Sequence, residues 1–258
     1  MIKIGISGAA GRMGTTIASL IEKEKDMKLY LALEAAGSKL IGSTVSGCLI
    51  TDNLKKNIAD IDVFVDFSTP AATLESVRIL ADSGKPAVIG TTGMNELEIS
   101  FIKASAEKIP VVFSSNYSVG VNVMWKIVKD AVKAMKDNYD IDIVESHHRM
   151  KKDAPSGTAM TTAKVIMEAK GLDLNKNIVY GRSGRDNDRP LDQLGVLAVR
   201  GGGVVGEHTV ILADMGDKLE IKHTAFTRET FAVGALKAAR FIIGKKPGLY
   251  GMADVLGL

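Results

Sequence analysis

The sequence predicts an α/β protein: a doubly wound parallel sheet in the first half, followed by an α+β domain with an open, largely antiparallel sheet. Three observations carry this prediction. Short apolar runs alternate with helical patterns over about the first 120 residues, which is typical of βαβ units. A glycine-rich turn follows the first apolar run directly. Beyond residue 178, strand-like segments succeed one another without helices between them, which favours antiparallel pairing.

The first half begins with a buried strand over residues 2–7 and a helix over 15–25, in which Ile17, Leu20 and Ile21 recur at helical spacing. The pattern predicts further strands over 27–33, 63–67, 87–90 and 111–114, and helices over 71–83 and 97–107. Gly84 should end the helix before it in the left-handed conformation, which glycine adopts without steric penalty.

The second half begins with a helix over about 121–135 and a strand over 141–145. A charged loop and a helix over 158–170 follow, and Gly171 should end that helix. The strands predicted next cover 178–180, 194–200, 208–213 and 218–224, the last two joined by a turn over 214–217. The last predicted element is a helix over 230–243.

Composition narrows the class of protein. The 258 residues carry 33 Lys and Arg against 30 Asp and Glu, a net charge of +3 that is too small to predict binding to nucleic acid. Cys48 is the only cysteine, so an intramolecular disulfide and a zinc site of several thiolates are excluded. The sequence shows no signal peptide and no run of about 18 apolar residues. We therefore expect a cytoplasmic protein with no membrane or nucleic-acid partner.

The glycine-rich turn is a candidate dinucleotide site. It consists of Gly8, Ala9, Ala10, Gly11, Arg12, Met13 and Gly14, and it opens the first helix. Free N–H groups and the positive end of the helix dipole can hold a pyrophosphate there, although a structural turn explains many such glycine triplets. Glu34 favours the dinucleotide, because it lies 20 residues beyond Gly14 at a strand end, where a carboxylate can bind ribose hydroxyls.

Glu34 also bears on the choice of cofactor. Its charge would repel a 2′-phosphate, and the next two residues are Ala35 and Ala36 rather than arginine. The sequence therefore predicts that NADH binds at least as well as NADPH. Two later strand ends could complete the site or could be ordinary polar turns. They are Gly90, Thr91 and Thr92 after one strand, and Ser114, Ser115, Asn116 and Tyr117 after the next.

Residues 145–158 are the candidate site of chemistry, since they hold two of the four histidines together with several cations. Adjacent His147 and His148 point to opposite sides of an extended segment, and no further His/Cys pattern supports a metal site, so we expect no metal. A solvated charged loop is the plain alternative. Against it, Ser156–Gly157–Thr158 begins a helix whose N–H groups can bind a carboxylate, and a histidine can donate a proton near neutral pH. His208 and His223 lie in strand-like runs and are expected to be structural.

On these residues the chain resembles the 4-hydroxy-tetrahydrodipicolinate (dihydrodipicolinate) reductases of the bacterial lysine and diaminopimelate pathway. The resemblance covers nearly the whole chain. It includes Gly8–Gly14, Glu34, Asp66-Phe67-Ser68, residues 90–93 and 115–122, the specific segment 145–158, residues 205–209 and the tail 228–240.

The resemblance implies an activity, residue roles and a layout. A hydride passes from NADH or NADPH to an unsaturated cyclic imine dicarboxylate, with His147 as proton donor and Lys151 assisting. His148, Gly157 and Thr158 would bind substrate, and the glycine turn, Glu34 and the two strand ends would bind the dinucleotide. Residues 1–118 and 228–258 would form the dinucleotide domain. Residues 119–227 would form the domain for substrate binding and tetramerisation, and the two domains would close on each other in a homotetramer.

Two departures from the family pattern weaken any strong preference for NADPH: Ala35 and Thr69 stand where many members carry a cation. Two other functions stay open at this stage. One is a dehydrogenase of similar two-domain build that acts on another amino or hydroxy acid. The other is a nucleotide-sensing module that binds NADH without turnover.

Overall fold

The protein, described here by a computed structural model, is defined over residues 1–135, 138–185 and 188–258. It divides into two compact units: Met1–Val119 with Arg228–Leu258, and Gly120–Thr227. One of the two boundaries lies one residue from the layout that the resemblance implies, and the other coincides with it.

The strands in chain order are β1 (Ile2–Ser7), β2 (Met27–Leu33), β3 (Thr44–Val45), β4 (Cys48–Thr51), β5 (Val63–Asp66), β6 (Ala87–Ile89), β7 (Pro110–Phe113), β8 (Asp140–His147), β9 (Ile178–Val179), β10 (Leu194–Arg200), β11 (Gly206–Ala213), β12 (Lys218–Ala225) and β13 (Gly248–Tyr250). The helices are α1 (Arg12–Ile21), α2 (Leu54–Asn57), α3 (Pro70–Ser83), α4 (Glu96–Ala106), α5 (Val119–Met135), α6 (Gly157–Lys170), α7 (Leu174–Asn177), α8 (Glu229–Ile242) and α9 (Met252–Leu256). A turn of 3₁₀-helix covers Ile58–Asp60.

The first unit is a doubly wound α/β unit. Its sheet has the order β13-β7-β6-β5-β1-β2-β4-β3, and every pairing is parallel except β3 with β4. The strand order reverses between β1 and β5, which is the switch point where such sheets bind ligands beyond the carboxyl ends of their strands. This architecture confirms the predicted doubly wound parallel sheet, and it is of the Rossmann type.

Helices cover both faces of this sheet, because alternate side chains of each parallel strand point to opposite sides. In β5, Val63 and Val65 belong to the core formed with α1 and α8, whereas Phe64 belongs to the core formed with α3 and α4. All three side chains are fully buried. The β1–α1 and β5–α3 turns therefore lie at the edge where the sheet reverses its order.

The second unit contains a mixed five-stranded sheet in the order β12-β11-β8-β10-β9. The pairings of β11 with β8 and β12 are antiparallel, as predicted. The pairings of β10 with β8 and β9 are parallel, which differs from the expected largely antiparallel sheet. The reason is the helix α6 between β8 and β9. It returns the chain to the edge of the sheet at which β8 begins, so that the strands after it can run parallel to β8.

One face of this sheet forms the core of the second unit. Along β8, alternate residues are buried, and Ile141 and Ile143 pack with residues of α5 and α6. The same alternation brings Glu145 and His147 to the buried face at the end of the strand. The sheet therefore directs two polar side chains towards its core side.

Several short elements have no counterpart in the predicted pattern: the hairpin β3–β4, the helices α2, α7 and α9, and the edge strand β13. They contain two to five residues each, too few to show a period in hydrophobicity. Gly84 and Gly171 end α3 and α6 with φ of 68° and 70°, which confirms both predicted left-handed caps. None of the described helices is long and apolar enough to cross a membrane.

Candidate active site

The glycine turn between β1 and α1 is tightly wound. Gly8 has φ of 66°, and a Cβ atom at Gly14 would lie 2.1 Å from the carbonyl oxygen of Gly8. Gly11, the residue before α1, supplies no side-chain cap. The amides of the first helical turn can therefore donate to an anion, and no side chain at position 14 fits without moving the backbone.

Glu34, directly after β2, lies against this turn. Its Oε1 accepts a hydrogen bond of 2.8 Å from the amide of Ala10. The sequence predicted that Glu34 ends the second strand and binds ribose hydroxyls there. The structure adds that the carboxylate touches the turn itself, at the carboxyl ends of two neighbouring parallel strands.

Aromatic packing shapes the ends of β5, β6 and β7. A Cβ atom at Gly90 would lie 2.1 Å from the ring of Phe67, and Phe67 packs edge-to-face on Tyr117 with ring centroids 5.3 Å apart. Tyr117 is buried, and its hydroxyl lies 2.9 Å from the carbonyl oxygen of Ile89, to which it donates. Burial raises the pKa of Tyr117 well above its ordinary value, so the phenol stays protonated.

Three of the predicted cofactor residues, Thr91, Asn116 and Tyr117, have buried side chains that are hydrogen-bonded inside the unit. Tyr117 holds the ends of two strands, and the Oγ1 atom of buried Thr91 lies 2.8 Å from Oγ1 of Thr73. Their side chains pack within the unit, so only their backbones can face a nucleotide. Thr92 and Ser115 are exposed, and Ser114 is half-buried.

Asp66, at the end of β5, is the buried carboxyl group of this edge. Its Oδ1 accepts hydrogen bonds from the amide of Ser68 at 3.0 Å and from its hydroxyl at 2.5 Å. Burial raises the pKa of Asp66 despite these bonds. Asp66 thereby fixes the β5–α3 turn opposite Gly8, whose nearest neighbour for an added Cβ is the carbonyl oxygen of Phe67 at 3.2 Å.

In the second unit, Glu145 and His147 form a hydrogen-bonded pair at the end of β8. Oε2 of Glu145 lies 2.6 Å from Nδ1 of His147. Arg200, on β10, donates to both oxygens of Glu145 at 2.8 Å, and the amide of Ser156 donates to Oε1 at 3.0 Å. The parallel register of β8 and β10 places Arg200 beside His147.

Burial and neighbouring charges have opposite effects on the pKa of Glu145 and on the pKa of His147. Burial alone would raise the pKa of Glu145, but Arg200, His147 and the amide of Ser156 hold it below its ordinary value. Burial lowers the pKa of His147, and it outweighs the hydrogen bond and charge of Glu145, which raise it. Glu145 is therefore an ionised acceptor, and the buried His147 ring gives up its proton more readily than an exposed histidine does.

The loop after β8 connects the predicted second donor to the same network. Nζ of Lys151 lies 2.8 Å from Oδ1 of Asp153, and the carbonyl oxygen of Asp153 accepts from Arg200 at 2.7 Å. Burial would raise the pKa of Asp153, but Lys151 lowers it below its ordinary value. Arg200 thus holds both the strand that carries His147 and the loop that carries Lys151.

Helix α6 begins beside this network. Ser156 is its N-cap, with Oγ accepting from the amide of Ala159 at 3.2 Å, which confirms the predicted helix start. A Cβ atom at exposed Gly157 would meet nothing within 4 Å, so no side chain crowds this position, and the amide of Gly157 donates to the carboxylate of Asp153. Thr158 is half-buried in the first turn. His148 is also half-buried, and its carbonyl oxygen accepts from the amide of Lys151 at 3.0 Å.

His208, on β11, is expected from the sequence to be structural, and the structure places it against the site. Its ring packs edge-to-face on His147 with centroids 5.2 Å apart, and Nε2 lies 3.0 Å from Oγ of Ser156. Burial lowers the pKa of His208 to about 3. The imidazole is therefore neutral at any working pH.

In the part of the chain that the structure describes, no group of three His, Cys, Asp or Glu side chains could hold a metal ion.

Comparison with known proteins assigns both halves of the chain to one family. Residues 2–117 match the family model described as dihydrodipicolinate reductase, N-terminus, and residues 120–256 match its C-terminus. A curated 4-hydroxy-tetrahydrodipicolinate reductase of Geobacter metallireducens is 44% identical and is covered, like this chain, over 100% of its length. The reductase of the same name from Thiobacillus denitrificans is 42% identical over 100% of this chain and 99% of its own.

Solved structures share the fold. A dihydrodipicolinate reductase from Paenisporosarcina sp. TG-14, reported with dipicolinate bound, superposes with a TM-score of 0.77 over 98% of each chain at 23% identity. An amine dehydrogenase from Mycobacterium smegmatis superposes with a TM-score of 0.59 over 98% of this chain and 95% of its own at 12% identity. With two matching family models and relatives above 40% identity over the whole length, this chain belongs to the dihydrodipicolinate reductase family, and it is an oxidoreductase that uses a nicotinamide cofactor.

Proposed function

We propose that this protein reduces 4-hydroxy-tetrahydrodipicolinate to tetrahydrodipicolinate in lysine and diaminopimelate biosynthesis. The first unit binds the dinucleotide, and the second unit binds the substrate. One observation carries the proposal: Glu145 is hydrogen-bonded both to the ring of His147 and to the amide of Ser156 at the start of α6. A proton donor therefore lies next to a helix start that can bind an anion.

The chemistry requires a proton at a defined place. Loss of the 4-hydroxyl and a ring proton of the substrate as water gives a conjugated imine, to which a bound nicotinamide would supply a hydride. The electron-rich enamine that results must take up a proton, and His147 donates it from Nε2, because Nδ1 is held by Glu145. Lys151 stabilises negative charge beside the ring or delivers a second proton.

The substrate is a dicarboxylate, and the second unit offers two kinds of anion partner. The amides of Gly157 and Thr158 in the first turn of α6 bind one substrate carboxylate, which takes the place of the Asp153 carboxylate at the amide of Gly157. His148 and Lys151 supply hydrogen bonds and positive charge around the rest of the molecule. Dipicolinate, which the related Paenisporosarcina reductase binds, is a ligand of the same class.

The dinucleotide binds along the carboxyl edge of the first sheet. The predicted contacts are those of the glycine turn, from Gly8 to Met13, together with Glu34, Gly90, Thr91, Thr92, Ser114, Ser115, Asn116 and Tyr117. Thr91 and Tyr117 contribute through their backbones, since their side chains are buried and hydrogen-bonded. Glu34 accepts from ribose hydroxyls, so NADH binds at least as well as NADPH.

The second unit also serves to assemble a homotetramer. On the face of its sheet opposite α5 and α6, the apolar side chains of Val144, Leu197, Val199 and Ile211 are only partly buried or exposed within the single chain. An antiparallel or stacked pairing of such sheets would cover them. Light scattering coupled to size-exclusion chromatography should give four times the mass of the chain, and a monomer would contradict the proposal.

The function is tested by oxidation of NADH at 340 nm in a mixture that makes the substrate in place, with dihydrodipicolinate synthase, pyruvate and aspartate semialdehyde. We expect rapid oxidation that depends on the synthase. Binding of NADH without oxidation of either cofactor would instead support the nucleotide-sensing module. Oxidation of a saturated amino or hydroxy acid with NAD⁺ would support the other dehydrogenase.

The same assay tests the cofactor preference. We expect the ratio of NADPH to NADH affinity to be at or below one, and a ratio well above ten would contradict the role of Glu34. In a Glu34→Gln variant the repulsion of the 2′-phosphate disappears, and NADPH should bind about 10-fold more tightly, which corresponds to about 1.4 kcal/mol. Glu22→Gln, an exposed carboxylate next to the end of α1, is the matched control and should leave both affinities unchanged.

A further inference from the structure

We propose that Glu145, clamped by Arg200, is a positioning residue for the reduction: it fixes His147 with Nε2 as the nitrogen that exchanges a proton with substrate, and it keeps the ring able to carry that proton. The inference rests on the proposed function and on the role of His147 in it. Neither Glu145 nor Arg200 belongs to the catalytic and binding residues assigned above.

The hydrogen bonds of Glu145 decide which nitrogen of His147 carries the permanent proton. The carboxylate is completely buried, and its oxygens accept two bonds from Arg200 and one from the amide of Ser156. An ionised carboxylate has no proton to donate, so the 2.6 Å contact with Nδ1 requires that His147 be the donor. Nε2 is then the nitrogen that gains and loses a proton.

The neighbouring strands support this orientation from two sides. On one side, β10 brings Arg200 into register with His147, and its guanidinium fixes the rotation of the Glu145 carboxylate through a bidentate pair. On the other side, β11 places Gly206 beside the ring. A Cβ atom at Gly206 would lie 3.0 Å from Nε2, so glycine at this position leaves that nitrogen clear.

Glu145 is also the group that favours the charged form of His147. The ionisable groups that face the ring are Glu145 on β8, Arg200 on β10, His208 on β11 and Lys151 in the loop. Burial, Lys151 and Arg200 lower the pKa of His147, and Glu145 raises it. His208 is neutral, since its pKa is about 3. Without the charge of Glu145, all the remaining influences would lower the pKa of His147.

The variant Glu145→Gln tests the proposal through the pH profile of kcat. A proton donor works while it is protonated, so activity falls as pH rises through the pKa of His147. Removing the carboxylate charge should move this basic limb to lower pH by about 1–2 units. At pH 8 kcat should fall about 10-fold or more, with the KM for NADH unchanged. An unshifted limb in a folded, NADH-binding variant would overturn the proposal.

The matched control is Glu168→Gln, which removes an exposed carboxylate paired with Lys164 on α6. It should leave the profile of the wild type in place, and an equal shift in this variant would assign the effect to net charge and overturn the proposal. The control also separates the inference from the proposed function. A wild type without reductase activity would refute the function, whereas an active wild type with unshifted Glu145→Gln would refute only the role of Glu145.

A measurement on the wild type keeps the inference testable where Glu145→Gln does not fold. With ¹⁵N-labelled histidine, only four side chains give signals, and the spectrum of a His147→Asn variant identifies those of His147. The neutral ring should carry its proton on Nδ1, in the tautomer that donates to Glu145. A proton on Nε2 in the neutral ring would overturn the proposal without any measurement of turnover.

Discussion

The two units build their sites from different materials. The first unit shapes the proposed dinucleotide site from backbone, because Gly14 and Gly90 leave no room for a side chain and Gly8 has φ of 66°. The second unit builds its site from charged and polar side chains, with Glu145 accepting from Arg200, Ser156 and His147. A backbone site depends on the absence of a side chain at single glycine positions. A side-chain site depends on partners from distant parts of the chain.

The largest expected difference between the two sites follows from adding a methyl group at one glycine in each unit. In Gly14→Ala, the new Cβ would lie 2.1 Å from a carbonyl oxygen and 2.7 Å from further backbone atoms, so the turn itself has to move. We expect a loss of about 3 kcal/mol or more in the free energy of unfolding of the first unit. NADH binding, followed by titration of cofactor fluorescence, should become undetectable.

The counterpart is Gly157→Ala, where the new Cβ meets nothing within 4 Å and φ is not positive. The midpoint of thermal unfolding and the NADH affinity should stay as in the wild type, while the KM for substrate rises because the methyl group crowds a bound carboxylate. Equal losses of stability in the two variants would contradict the distinction between the two sites.

The next effect concerns chemistry in the second unit alone. His147→Asn and Lys151→Met should each lower kcat by about 100-fold or more, within the usual contribution of general acid catalysis, and leave the NADH dissociation constant unchanged. Lys152→Met is the matched control, because Lys152 is exposed whereas Lys151 is largely covered and paired with Asp153. Full activity of both His147→Asn and Lys151→Met would refute the assigned roles.

The smallest effect concerns stability and pH. Folded His208 has a pKa of about 3, far below the ordinary value of 6.5, so the unfolded state binds the proton more tightly. The stability it contributes is present above pH 6.5 and is lost as pH falls towards 3. Between pH 7 and pH 5, His208 should account for a decrease of about 2 kcal/mol in the free energy of unfolding.

Urea unfolding at the two pH values measures this decrease, and His208→Gln should remove it. Trp125, the single tryptophan, reports on the second unit, since it lies on α5 with Nε1 donating to Thr162 at 2.8 Å. The same pH dependence in the variant and the wild type would show that His208 gains its proton before unfolding, contrary to its burial against His147 and Ser156.

Local pattern was enough to predict most of the fold. β1, β2 and β10 have the predicted bounds, because their apolar runs are flanked by turn residues. The parallel pairings in the second sheet were not predicted. Whether β10 joins β8 from one side or the other depends on the path of α6 and on tertiary contacts, and no residue of β10 encodes that choice.

The residues of the candidate site likewise divide into those that the sequence could predict and those that it could not. His147, Lys151 and the start of α6 lie within one short segment, so their chemistry could be predicted together. Arg200 could not, because it is 55 residues from Glu145 and meets it only through the register of two strands. The sequence also does not show that the side chains of Tyr117 and Thr91 are buried, since a polar residue at a strand end can turn its side chain inwards to satisfy buried groups.

The second unit is inserted within the sequence of the first, and this has a consequence for synthesis on the ribosome. Its sheet is completed by β13, which pairs with β7, and the apolar side of α1 is covered by α8. Both come after Gly120–Thr227, so Ile17 and Ile21 of α1 leave the exit tunnel long before their partners do. The nascent chain should therefore bind holding chaperones until translation ends. A stop codon before residue 229 would abolish cofactor binding although every residue of the glycine turn is present.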